Sequence, residues 1–337
     1  MHEPVEITTI EAHTAGEPLR IITGGWPSLP GETMVARRAY AREQQDELRR
    51  MLMLEPRGHA DMYGALLTPP ASPDGDVGVL FMHNAGWSTM CGHGILAMVA
   101  VGLDHGLYEV RDPNAIQIDT PAGRVVARAE RESGRVARVE FDNVPSFVGE
   151  QVETTLDHPL YQGRVSATIA FGGAFYAYVD AASLGLELGA ADHERVVSLG
   201  RAIKAALADP ALVRHPLGET ELEFLYGVIF VGPPHDASHH SRNVCVFADG
   251  EVDRSPTGTG VSGRVAIHHA RDELALGEWI EIESILGTCF GARVLRTCEF
   301  GGRPAIVPQV RGMAYATGRA TYTLDPRDPL GRGFMLR

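Results

Sequence analysis

The chain has 337 residues, with 43 acidic against 30 basic side chains and a formal net charge of −13. That length exceeds one comfortable core, so two domains are expected. The acidic balance argues against nucleic acid and anionic membrane surfaces as partners. No apolar run reaches the ~20 residues of a membrane span. Residues 1–6 lack the basic and apolar regions of a secretory leader, so a cytoplasmic protein is expected. Cys91, Cys245, Cys289 and Cys298 show no CxxC spacing. They read as reduced thiols rather than a disulfide framework.

In chain order, residues 5–10 alternate and are rich in β-branched side chains, a strand. A polar turn is expected over 11–20. Residues 40–54 predict one helix with Leu48, Met51 and Leu52 inward, stopped by Pro56. Residues 77–82 form a near-continuous apolar strand ending at His83-Asn84. Alternating runs on either side of Glu132-Ser133-Gly134 signal a hairpin. Pro145-Ser146 is a plausible domain boundary. Residues 165–179 read as one strand carrying a glycine bulge or a close backbone approach. Residues 191–208 read as a helix, and 225–231, 244–247, 279–285, 292–297, 305–310 and 317–324 as strands. No low-complexity linker interrupts the chain, so tightly joined domains with a cleft between them are expected.

Two stretches carry the chemistry. Met90-Cys91-Gly92-His93-Gly94 leads straight into an apolar run, which reads as a thiol at the start of a buried helix. Unpaired N–H groups and the positive end of the helix dipole favour a thiolate there, below the usual cysteine pKa of about 8.5. The same geometry can hold a carboxylate. Half a chain later, Ser255-Pro256-Thr257-Gly258-Thr259-Gly260 repeats the pattern, with Thr257-Gly258-x-Gly260 aligned on Cys91-Gly92-x-Gly94. This echo predicts an internal duplication with two helix starts facing one cleft.

Each candidate has a plainer reading. Cys91 could be a structural thiol, but its place before a helix favours a base or nucleophile. His93 two residues on should splay away from Cys91, so a binding or orienting role is expected rather than a Cys–His pair. Asp253 reads either as a cap residue or as the partner of a cationic amine. Asp61 reads as a turn residue, as do His13, His59 and His83. His235, His239 and His240 with Asp236 invite a metal site, but no metal-ligand spacing supports one. His268-His269 falls within a helix and points two ways.

These motifs resemble the two signatures of the proline racemase family. So do His13-Thr14-Ala15-Gly16-Glu17-Pro18, Glu55-Pro56-Arg57-Gly58-His59-Ala60-Asp61-Met62-Tyr63-Gly64 and Ser241-Arg242-Asn243-Val244-Cys245. The resemblance implies an α/β (α+β) diaminopimelate-epimerase-like fold. That fold has two pseudo-symmetric domains, each a mixed sheet wrapped around a central helix. They are expected at 1–145, carrying Cys91, and 146–314, carrying Thr257, with a strand near 315–337 returning to the first. The resemblance also implies no cofactor, no metal and a small imino acid substrate, and it leaves room for a homodimer.

One departure bears on the activity. Racemases and hydroxyproline epimerases of the family place cysteine in both motifs, whereas Thr257 stands at the second here. A threonine hydroxyl does not ionise usefully near neutral pH, so two-base racemisation should fail while one-sided deprotonation survives. The Cys/Thr pattern resembles the trans-3-hydroxy-L-proline dehydratases of the family. This implies that Cys91 and Thr257 are the catalytic pair. Gly92, His93, Gly258 and Thr259 are expected to hold the carboxylate. Asp253 is expected to hold the ring ammonium, and Asp61 to line the same pocket. Rivals are a 4-hydroxyproline 2-epimerase or proline racemase using another second acid, a non-catalytic imino-acid binding protein, and a cysteine hydrolase. Ala15 replaces a second family glycine, and Asn84-Ala85-Gly86-Trp87 replaces Asn-Glu-Gly-Tyr.

Overall fold

A computed structural model describes residues 5–336; residues 1–4, read above for a leader, and residue 337 lie outside it. Contacts divide the chain into two compact units. One is Met1–Val139 with Met313–Arg337, the other Glu140–Gly312.

The first unit opens with β1 (Val5–Thr14) and β2 (Glu17–Gly24), an antiparallel hairpin. The stretch expected as a polar turn over 11–20 is therefore almost all strand. Only Ala15-Gly16 turns, and both residues have positive φ. Its polar side chains suit a strand because they alternate and pair, as Arg20 does with Glu11 at 2.9 Å. The helix expected over 40–54 is two, α1 (Met34–Gln44) and α2 (Asp46–Met53). The break falls at Gln45, whose amide accepts from Trp26 Nε1 at 2.7 Å and donates to the Ser28 carbonyl at 3.1 Å. Next come β3 (Tyr63–Thr68), β4 (Val77–His83), β5 (Trp87–Ser88) and α3 (Gly92–His105). They are followed by β6 (Ile116–Thr120) and β7 (Gly123–Glu132). A two-residue turn, Ser133-Gly134, with both φ positive, leads into β8 (Arg135–Asp142).

The second unit runs β9 (Phe147–His158), β10 (Tyr161–Phe171), β11 (Phe175–Asp180), α4 (His193–Ala206), β12 (Leu225–Gly232) and β13 (Ser241–Phe247). It continues with β14 (Glu251–Val252), α5 (Gly258–Ala270), β15 (Ile280–Glu283), β16 (Cys289–Phe300) and β17 (Arg303–Gly312). The last strand, β18 (Ala314–Leu324), returns to the first unit and pairs antiparallel with β1.

The duplication is written in the pairings. In the first unit β2 runs parallel to β3, β3 antiparallel to β4, and β4 antiparallel to β5 and parallel to β6. In the second, β11, β12, β13, β14 and β15 repeat those relations in the same order. β18 on β1 corresponds to β9 on β10. Each sheet is mixed and encloses one helix. α3 packs on β1, β2, β3, β7 and β18, while α5 packs on β9, β10, β13, β16 and β17. Every residue of α3 from Gly92 to Gly102 is buried, and every residue of α5 from Gly258 to Ile267. A helix apolar on all sides belongs at the centre of a core.

Close approach is set by glycine. A Cβ at Gly94 would overlap the Phe81 ring, and one at the corresponding Gly260 would overlap Ile229 Cδ1. The strand expected over 165–179 is in fact a hairpin of β10 and β11 turning through residues 172–174. From Ile169 to Val179 every residue is buried and none is charged, so only the glycines mark the turn. The expected close backbone approach is there. A Cβ on Gly172 would overlap the Thr259 carbonyl oxygen and lie 2.8 Å from Gly263 N. Backbone cannot swing aside as a side chain can. Gly172→Ala should therefore destabilise the protein by about 1–3 kcal/mol, read as a lower urea midpoint. An unchanged midpoint would mean that this glycine does not set the spacing of β10 and α5.

Candidate active site

In the first unit the site is built at the start of α3. Cys91 is the N-cap, in extended conformation (φ −147°, ψ 114°), and its Sγ accepts from Gly94 N at 3.3 Å. A thiol thus takes the place usually held by a hydroxyl or carboxylate. His93 does not splay away, contrary to expectation: its Nδ1 lies 3.1 Å from Cys91 Sγ. The i, i+2 argument fails because Cys91 sits outside the helix while His93 belongs to its first turn, which folds the imidazole back over the sulfur.

His93 is held from two sides. Its carbonyl accepts from Thr14 Oγ1 at 2.9 Å, and its ring stands edge-on to Tyr63 with centroids 4.8 Å apart. Tyr63 in turn stacks on His83 at 5.6 Å. Cys91 is 5% exposed and His93 3%, so the pair is screened from bulk water. The helix start beneath Cys91 favours negative charge on the sulfur, against the cost of burying that charge. Asp61 lies on the loop before β3, with φ +61°, two residues from Tyr63. Asn84 pins this loop, accepting from Met62 N at 3.3 Å and donating to the Met53 and His59 carbonyls at 2.6 and 3.0 Å.

In the second unit the equivalent position, Thr257, caps α5 differently. Its φ is +66°, and no side-chain hydrogen bond caps the helix. Positive φ is a true outlier for a β-branched residue. Its hydroxyl is buried. Asp253 is buried, and its Oδ1 accepts from Ser255 N at 2.8 Å. Burial pushes its carboxyl up to about 6, against the Ser255 hydrogen bonds, the nearby Thr257 hydroxyl and the charge of Arg254. Gly258 and Thr259 begin α5, whose first N–H groups have no partner within the helix. Tyr176 OH meets Thr259 Oγ1 at 2.7 Å.

Sequence reasoning missed the support behind Thr257. Asn243 Nδ2 donates to the Pro256 carbonyl at 3.3 Å, and Asn243 Oδ1 accepts from Arg264 Nη1 at 2.7 Å. Arg264 is buried, and burial lowers its pKa to about 10. It donates to His268 Nε2 at 2.9 Å, and His268 Nδ1 meets Glu273 Oε2 at 2.6 Å. Burial and the Arg264 charge push His268 down to about 4. A neutral imidazole thus relays the Arg264 charge to Glu273. The one available signal was an arginine placed midway along a helix otherwise buried among small and apolar residues.

The histidines near Asp236 have a different role from metal binding. Glu283 gathers them: it accepts from His235 N and Asp236 N at 2.8 Å each, meets His239 Nδ1 at 2.9 Å, and pairs with the fully buried Arg242. Among the described residues no group of three or more His, Cys, Asp or Glu side chains is arranged to hold a metal, none of the four cysteines is in a disulfide, and no helix is long and apolar enough to cross a membrane.

The family model described as proline racemase matches residues 9–335. The chain belongs to the proline racemase family. It is 48% identical over 330 residues to a trans-3-hydroxy-L-proline dehydratase of Bacillus cereus, covering 98% of each chain. It is 45% identical over 332 residues to a 3-hydroxyproline 2-epimerase of Burkholderia multivorans, again covering 98% of each. Among solved structures it superposes on a hydroxyproline epimerase from Agrobacterium vitis with bound trans-4-hydroxy-L-proline. The TM-score there is 0.89 and the identity 29%, over 98% of this chain and 95% of that one.

Within this racemase-family fold, Asp253 makes a measurable prediction. Its carboxyl titrates near 6 when folded and near 3.8 when free, so the native state binds the extra proton between those values. Stability must then fall as pH rises through that window. At about 1.4 kcal/mol per pKa unit, wild type should lose on the order of 3 kcal/mol relative to Asp253→Asn between pH 4 and pH 7. Urea unfolding at several pH values reads this, and a pH-independent difference would contradict it.

Proposed function

We propose that this enzyme is a hydro-lyase that converts trans-3-hydroxy-L-proline to Δ1-pyrroline-2-carboxylate without a cofactor. The observation that carries the proposal is the asymmetry of the duplicated helix starts. One offers a thiol sulfur beside an imidazole and a helix N–H. The other offers, at the same position, a threonine hydroxyl that cannot serve as a base near neutral pH. The name of the B. cereus relative supports the same substrate.

In this reading the Cys91 thiolate removes the Cα proton. Charge develops on the carboxylate, which the N–H groups of Gly92, His93, Gly258 and Thr259 stabilise. Donors aimed at developing charge in a dry site cost no reorganisation when it appears. Asp253 receives the ring ammonium: its burial raises its pKa while it is empty, and a bound cation would restore the carboxylate. Asp61 lines the substrate pocket. The 3-hydroxyl leaves as water, and the resulting enamine tautomerises to the cyclic imine. A single proton-transfer group contributes about 10²–10⁴-fold.

The B. multivorans relative keeps a second reading in view, epimerisation at C2. Proton NMR in heavy water separates the two. Trans-3-hydroxy-L-proline should be lost to the imine, with the rate reduced at least about 10²-fold in Cys91→Ser. Thr257→Cys should add C2 epimerisation of trans-4-hydroxy-L-proline, which wild type lacks. Epimerisation by wild type would sink the reading of Thr257, and dehydration at the wild-type rate by Cys91→Ser would sink Cys91 as the base.

A further inference from the structure

We infer that His93 is the general acid that protonates the departing 3-hydroxyl, so that both proton transfers occur on one face of the ring. The inference rests on the dehydratase reading. In trans-3-hydroxy-L-proline the carboxylate and the hydroxyl lie on opposite faces. The remaining substituent at C2, the Cα proton, is therefore on the same face as the hydroxyl. The base that reaches that proton also faces the leaving oxygen, and the elimination is syn. No acid on the opposite face is required.

The first half-site carries the two groups such a step needs. Cys91 Sγ and His93 Nδ1 are 3.1 Å apart, and both residues are nearly inaccessible to solvent. The sulfur also lies 3.7 Å from Nε2, so it sits over the face of the ring within reach of both nitrogens. Tyr63, edge-on at 4.8 Å, and the Thr14 hydrogen bond to the His93 carbonyl hold the imidazole there. Gly94 N donates to the sulfur, which directs the anion to sulfur and leaves the proton on imidazole.

The atoms balance. The thiolate takes the Cα proton and an S–H bond forms. The C2 electron pair becomes the C2=C3 bond as C3–O breaks. The oxygen leaves with its bonding pair and takes the imidazolium proton, giving water. The thiol then passes its new proton to His93 over the 3.1 Å contact, and the starting pair is restored. One face thus supplies base and acid, and a threonine at the other helix start costs the reaction nothing.

Two comparisons test this. The first needs no mutation. Cis-3-hydroxy-L-proline has its Cα proton and hydroxyl on opposite faces, so wild type should dehydrate it at least about 10²-fold more slowly than the trans isomer. Equal rates for the two isomers would overturn the one-face step. The second uses His93→Gln in heavy water at about pH 9, where a thiol of ordinary pKa near 8.5 is mostly ionised without help. Dehydration should fall about 10²–10⁴-fold while deuterium still enters C2 of recovered substrate. Dehydration within a few-fold of wild type would overturn His93 as the acid. Loss of exchange together with dehydration, in a protein whose urea midpoint is unchanged, would also overturn it and make His93 a partner of the base only. If wild type consumes no trans-3-hydroxy-L-proline at all, it is the dehydratase reading that fails.

Discussion

A helix whose first turn is buried must satisfy its leading N–H groups from somewhere other than water. In this protein that constraint arises twice. α3 and α5 are buried on every side and sit at the centre of their sheets, so neither start is open to bulk solvent. At α3 the answer is a sulfur: Cys91 caps Gly94 N. Because the cap is also a titratable group, the requirement that closes the core places a thiol at a helix start, where an anion is favoured. The neighbouring imidazole completes the pair, and the strand residues around it, Thr14 and Tyr63, serve the packing of α3 and the aim of His93 together.

At α5 the same constraint is met differently. Thr257 does not cap, and its backbone sits where a β-branched residue is rarely found. Such a conformation costs of order 1–3 kcal/mol and persists only when its surroundings over-determine it. The surroundings are visible: Asn243 holds the Pro256 carbonyl, Arg264 holds Asn243, and His268 ties that buried cation to Glu273. A buried charge without a partner would cost more than it returns. Here the neutral histidine lets one surface carboxylate serve as a distant counter-ion. The second half-site is thus a braced cradle around a buried hydroxyl that lies near the Asp253 carboxyl.

How much of this was legible follows from which residues carry the signal. Both helix starts could be read because glycine and apolar periodicity are local, and the echo of Thr257-Gly258-x-Gly260 on Cys91-Gly92-x-Gly94 anticipates the repeated strand pairings. The Cys91–His93 contact could not be read, since it depends on one residue being extended and the next but one helical. The split of residues 165–179 at Gly172 was hidden because the end of β10 and all but the last residue of β11 are buried and read on without a charged residue between them. The Arg264 relay joins β13 to α5 and their following turn, and no spacing rule reports such side-chain geometry. The positive φ of Thr257 was invisible for the opposite reason: the residue type argues against it.

The acidic net charge, −13, opposes a carboxylate ligand. It does so only at long range, where salt screens it within about 8–10 Å. At short range the second unit alone offers both signs within one turn of chain. The α5 start presents N–H groups to an anion, and Asp253, five residues before Gly258, presents a carboxyl to a cation. On the proposed reading this pairing selects a zwitterion rather than a charge. A bare carboxylate would leave Asp253 protonated or buried as an unpaired anion, and a bare amine would leave the helix start unsatisfied. Only a ligand carrying both groups on one small frame relieves both costs together. On that reading a strongly acidic protein holds an imino acid through two local groups of opposite sign.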